Sequence, residues 1–157
     1  MAKFTCKLQL AKHDPDETID KGEVDFQQFK SEFNAIDWDF EADRLQFLDK
    51  TWPTIGVTNS ENGAVLWTSA YRPLPPDFLG RDEFRHNMPV WYTVRLNDPP
   101  NPPEITNFKT GRELADCHFE TYIEGEIEDL FKLFFEDDYE ALYESLYSMD
   151  VCEFDDD

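Results

Sequence analysis

The chain has 157 residues, enough for one buried core, and its 14 Phe, 6 Tyr and 4 Trp exclude a wholly disordered acidic polymer. Its formal net charge of −21 disfavours nucleic acid, polyphosphates and anionic membranes as direct partners. The charge is lopsided: residues 113–157 hold 17 acids and one base, Lys132, whereas the other 112 residues hold 18 acids and 13 bases.

In chain order, Phe4, Cys6, Leu8 and Leu10 alternate with Lys3, Thr5, Lys7 and Gln9, the period of a half-buried strand. His13 to Lys21 is polar, contains Pro15 and reads as a loop. Phe26, Phe29, Phe33 and Ile36 then recur at helical spacing and predict an amphipathic helix from Glu23 to about Ala35. Ile36, Trp38, Phe40 and Ala42 alternate with Asp37, Asp39, Glu41 and Asp43. As a strand, that segment would project four carboxylates from one face at roughly 7 Å intervals. The competing reading is an irregular acidic link into a short helix over residues 42–49.

Thr54–Asn59 and Ala64–Tyr71 are β-rich runs joined by Ser60-Glu61-Asn62-Gly63, and the Asn-Gly pair predicts a hairpin. Arg72-Pro73-Leu74-Pro75-Pro76 ends it, and Asp77–Asn87 reads as a loop with one helical turn. Val90–Leu96 is a further strand, and the proline-rich run 98–103 an extended connector. Ala115, Cys117, Phe119, Thr121 and Ile123 alternate as a last strand. Ile127, Leu130, Phe131 and Phe134 form one helical stripe after Gly125, and Leu142, Tyr143, Leu146 and Tyr147 form another. Asp137 with Glu140 resembles a capping box and predicts a break between the two. The expected fold is α+β: an antiparallel or mixed sheet of about five strands, packed by an N-terminal helix and a C-terminal acidic helical segment. Residues 1–152 form the single expected domain, with 153–157 a frayed acidic tail.

Three cysteines, Cys6, Cys117 and Cys152, are an odd set without short-range pairing and suggest reduced thiols. The N-terminal residues have no apolar core of a signal peptide, and no apolar run reaches the roughly 20 residues of a membrane span. The expected location is cytoplasmic. No catalytic, cofactor or metal site is expected. The loop from Asp14 fails the calcium-binding pattern, with Ile19 where Gly is needed and Asp25 where a bidentate Glu is needed. His13, His86 and His118 are scattered, and neither a phosphate-cradling loop nor a nucleophile elbow occurs.

What stands out is the unpaired acidity of the C-terminal segment. An ordinary surface helix interleaves opposite charges at i,i+4. Here Glu126, Asp129, Glu136, Asp137, Glu140 and Glu144 lie on the outward side of the aromatic stripes, with Tyr139 as an exposed anchor beside them. Asp37, Asp39, Glu41 and Asp43 make a second candidate patch. Carboxylates without internal partners suit a basic protein surface, including a nucleic-acid-binding site occupied by mimicry of a phosphate array. The function expected is a non-enzymatic acidic binding or inhibitor protein, such as a DNA mimic, an immunity protein or an anti-defence protein. The alternatives are a structural or housekeeping interaction domain that is acidic for solubility, and an enzyme whose site no motif reveals.

Overall fold

The computed structural model describes residues 3–10, 18–38, 40–42, 53–71, 90–97 and 119–151. Among them runs one seven-stranded antiparallel sheet in the order β2-β1-β3-β4-β5-β6-β7. Its strands are β1 (Phe4–Gln9), β2 (Ile19–Glu23), β3 (Thr54–Asn59), β4 (Val65–Tyr71), β5 (Trp91–Asn97), β6 (Phe119–Thr121) and β7 (Asp150–Val151). Three helices whose bounds are fully described accompany it: α1 (Phe26–Ala35), α2 (Glu124–Phe135) and α3 (Tyr139–Tyr147). The fold is thus α+β, with a wider sheet than expected. The additional strands are β2 and β7, both at sheet edges, where a short segment needs little apolar patterning to pair.

Register puts the apolar set on one face. Cys6 lies opposite Val57, Val57 opposite Leu66, and Leu66 opposite Leu96, giving one buried row. A second row runs through Leu8, Ile55, Thr68, Val94 and Phe119. Because side chains alternate along each strand, these rows share the helix-bearing face. Phe29 and Phe33 of α1, Ile127, Leu130, Phe131 and Phe134 of α2, and Leu142 and Leu146 of α3 close the core over them. At its centre the Phe29 and Phe131 rings stack at 4.2 Å.

The hairpin read at Asn-Gly forms between β3 and β4. Gly63 takes φ 80°, a left-handed conformation that glycine adopts without steric cost, and the Asn59 N–H donates to the Ala64 carbonyl at 2.8 Å.

Two local readings are corrected. First, Ile19–Lys21 lies not in a loop but in the edge strand β2, which continues to Glu23 and pairs with β1. None of its residues is buried, so the hydrophobic alternation that signals a strand is missing. A bulge at Lys21–Gly22 twists this edge: Cys6 faces Gly22 while Lys7 faces Asp20, and Gly22 sits at φ 74°. Helix α1 accordingly starts later, behind a capping box in which Asp25 accepts from the Gln28 N–H and Gln28 accepts from the Asp25 N–H, both at 2.8 Å.

Second, the acidic segment after α1 is not a strand. Trp38 and residues 40–42 are helical, and Trp38, Glu41 and Ala42 are buried while Phe40 is 54% exposed. That is a period of three to four, not two. The Trp38 indole N–H donates to the Phe33 carbonyl at 3.1 Å, which draws the segment back over the end of α1.

The proline-rich connectors, the loop 77–87, residues 115–118 of the expected last strand, and the tail 153–157 lie outside the described residues.

Candidate acidic interface on the C-terminal helical hairpin

Helices α2 and α3 are joined by a tight corner, Glu136-Asp137-Asp138. The predicted break is there, but its chemistry is displaced by one residue. Asp138, not Asp137, is the N-cap of α3 and accepts from the Ala141 N–H at 3.2 Å. Asp137 instead takes a left-handed φ of 58° and turns its carboxylate back toward the sheet. There it accepts from the Lys3 ammonium and, at 3.1 Å, from the Asn59 side-chain amide. The Tyr139 hydroxyl accepts from the side-chain amides of Asn59 and Asn62, each at 3.1 Å. Asn59, fully buried, also accepts from the Glu61 N–H at 3.0 Å. Lys3 reaches Glu61 as well, at 3.3 Å. The corner is thereby tied to the start of β1 and to the β3–β4 turn.

Two expected partner-binding residues are corrected by this network. Asp137 is bonded within the protein to Asn59 and to a Lys3 ammonium that it shares with Glu61. Tyr139 is half-buried against Phe134, with ring centroids 6.0 Å apart, and its hydroxyl is occupied. Neither is a free anchor.

The remaining carboxylates of the patch behave differently. Glu126, Asp129, Glu136, Glu140 and Glu144 make no ion pair and no side-chain hydrogen bond among the described residues. Their positions follow from the helical period. On α3, Leu142 and Leu146 point into the core, so Glu140 and Glu144, one turn apart, point away from it, separated by roughly 6 Å of helix rise. On α2, Asp129 and Glu136 share the exposed ridge with Lys132 between them. Glu126 and Asp129 line a cleft of about 240 Å³ that Ser145, Ser148 and Met149 complete from the α3 side. All five carboxylates thus lie on the α2–α3 hairpin.

The hairpin's other acids are engaged. Glu124 accepts from the Tyr92 hydroxyl at 3.4 Å, and Glu128 lies 4.0 Å from Lys30. The flank of α3 away from the cleft is tyrosine: Tyr139, Tyr143 and Tyr147 are half-buried at i, i+4 and i+8. Burial first, and the neighbouring Tyr139 second, push the Tyr143 phenol up to about 12. This flank packs against the core.

The second candidate patch does not assemble as a strand face. Asp37 is exposed but caps the helical turn, accepting from the Phe40 N–H at 3.1 Å. Glu41 is 6% exposed. Asp39 and Asp43 lie outside the described residues.

No group of three or more metal-ligating side chains occurs among the described residues. Asp25, the twelfth position of the apparent calcium loop, is the N-cap of α1, while Ile19 and Asp20 belong to β2. Cys6 is fully buried, and desolvation pushes its thiol up to about 12, which removes thiolate character near neutrality. The other two cysteines and the three histidines lie outside the described residues, and no described helix is long and apolar enough to cross a membrane.

Sequence reasoning missed the corner network, because no local pattern links Lys3 or Asn59 to Asp137. Phe26, on the apolar stripe that predicts α1, is half-buried on the wall of a surface groove. Compared with known proteins, the chain has no significant match to a family model, a curated protein or a solved structure.

Proposed function

We propose that this chain is a non-enzymatic binding or inhibitor protein that sets the outer face of its α2–α3 hairpin against a basic site of another protein. The observation that carries it is the set of five carboxylates on one hairpin, Glu126, Asp129, Glu136, Glu140 and Glu144, that have no partner among the described residues. Unpaired like charges at i,i+4 destabilise a helix, and a partner's Lys or Arg side chains relieve that cost on association. The corner network supports the same reading. It ties the carboxylate nearest the sheet into the protein and anchors the hairpin corner, which favours a preorganised face.

The partner class is a cationic protein, and nucleases and other nucleic-acid-binding proteins offer surfaces of this chemistry. Mimicry of a phosphate array is one form such binding takes. A reducing compartment such as the cytoplasm suits the odd cysteine count.

The test is a paired capture from native extract with the wild type and the Glu136→Lys/Glu140→Lys/Glu144→Lys variant. It is run at about 0.1 M salt, where the Debye length is ~10 Å, and at about 1 M, where it is ~3 Å. The expected result is a basic protein held by the wild type at low salt only and not held by the folded variant. Capture that survives both high salt and charge reversal contradicts the proposal.

A further inference from the structure

A groove of about 630 Å³ opens where β1 begins, β2 ends and α2 terminates against the first turn of α1. Its floor is aromatic and aliphatic: Phe4, Val24, Phe26 and Phe135. Phe26 and Phe135 are half-buried, with ring centroids 5.8 Å apart, and Phe135 meets Phe4 at 4.6 Å. These rings extend the core stack to the surface, since Phe29 contacts Phe131 at 4.2 Å and Phe135 at 5.8 Å. The space falls within the roughly 300–1,000 Å³ typical of ligand pockets.

The rim determines what fits. It carries Glu23, Asp25 and Glu136 against Lys3 and Lys132. Lys3 is already bonded to Asp137 and Glu61, and Asp25 caps α1, which leaves Lys132 facing the carboxylates of Glu23 and Glu136. Helix α1 opens onto the groove with its N-terminus, yet the Asp25–Gln28 capping box already occupies the Asp25 and Gln28 N–H donors and sets the Asp25 carboxylate where an anion would sit. An anionic occupant is therefore disfavoured. A purely apolar one leaves the carboxylates uncompensated. Glu136 belongs both to this rim and to the acidic hairpin face, so the two surfaces are continuous.

We infer that this groove receives an aromatic or long aliphatic side chain carried on a Lys/Arg-rich segment of the basic partner. The inference rests on the proposed function and deepens it: the hairpin supplies long-range attraction, and the groove supplies an anchor. A central apolar pocket ringed by polar groups that exclude water is the usual anatomy of a binding hot spot.

The test titrates the intact, isotope-labelled protein with three blocked pentapeptides and follows backbone amide shifts. The peptides are Lys-Lys-Phe-Lys-Lys, Lys-Lys-Ala-Lys-Lys and Glu-Glu-Phe-Glu-Glu. The expected result is that the first binds about tenfold more tightly than the second, as burial of one Phe side chain implies. Its shifts should centre on Val24, Phe26 and Phe135, and the acidic peptide should not bind. Phe26→Ala should abolish the difference between the two cationic peptides. If that variant does not fold, Glu23→Lys, at an exposed rim position, should reduce affinity for the Phe peptide severalfold. Equal affinity of the two cationic peptides, with shifts confined to α3, overturns the groove and leaves the acidic face standing. Binding of the acidic Phe peptide as tight as that of its cationic counterpart overturns the charge argument. Failure of both cationic peptides to bind overturns the groove and the proposed function together.

Discussion

Lys3 and Asp137, 134 residues apart in the chain, meet as an ion pair at the corner between α2 and α3. The contact places the N-terminal strand and the acidic hairpin in one rigid arrangement. Its strength comes less from the pair, which is partly solvated, than from Asn59, which is fully buried and serves Asp137, Tyr139 and Glu61 at once. Replacing Asn59 by Leu leaves those groups short of partners and should cost about 2–3 kcal/mol in urea unfolding. Lys3→Met should cost no more than about 1 kcal/mol.

The pair has a pH signature. The hydrogen bond to Asp137, joined by the second bond to Glu61 and only partly offset by the lowering effect of burial, raises the Lys3 ammonium above its ordinary 10.5. A raised base stabilises the fold fully below its unfolded value and loses that contribution as pH climbs through the folded one. The stability gap between wild type and Lys3→Met should therefore be constant up to about pH 10 and should close above pH 10.5. Unfolding midpoints of both proteins at pH 8 and pH 11 check this.

Glu144→Lys separates stability from binding. It replaces a like-charge pair one turn apart with a Glu-to-Lys i,i+4 pair in the favourable order. The free protein should gain about 0.5 kcal/mol or less, read as a higher melting temperature. Affinity for a basic partner should fall in the same variant. Loss of stability together with loss of binding would mark the glutamate as structural.

The core permits two opposite predictions. Phe29→Ala removes half of the 4.2 Å stack with Phe131 and should cost about 3–5 kcal/mol. Thr68 lies in the apolar row between Ile55 and Val94, and its hydroxyl has no hydrogen-bond partner among the described residues. Thr68→Val keeps the shape and should stabilise by about 1 kcal/mol. Denaturant midpoints measure both.

Cys6 offers a chemical probe of the same core. With its thiol pushed up to about 12 by burial, it should resist a maleimide at pH 8 in the folded protein and react once urea unfolds the chain. Peptide mapping distinguishes Cys6 from Cys117 and Cys152.

Most of the fold was legible because its signals are local. Phe4, Cys6 and Leu8 alternate as the strand they form, Asn62-Gly63 marks the hairpin, and the stripes of α2 and α3 repeat at helical spacing. The segment Asp37–Ala42 was ambiguous, because alternating acids and aromatics imitate a strand. The bond from the Trp38 indole to the Phe33 carbonyl draws it back over the end of α1, and Trp38 and residues 40–42 are helical. Edge strand β2 buries nothing and so leaves no apolar pattern. In the candidate site, the outward direction of Glu140 and Glu144 was readable from the helix period. The internal bonding of Asp137 was not, since Lys3 and Asn59 are distant in sequence.

The attraction proposed between the hairpin carboxylates and a cationic partner is electrostatic. Its most direct test is the association rate constant with the captured basic protein as a function of ionic strength. Wild type should associate fast at low salt and slow steeply as salt is raised, while the folded Glu136→Lys/Glu140→Lys/Glu144→Lys variant should associate slowly with a flat profile. Equal rates and equal salt slopes for the two proteins would contradict the account.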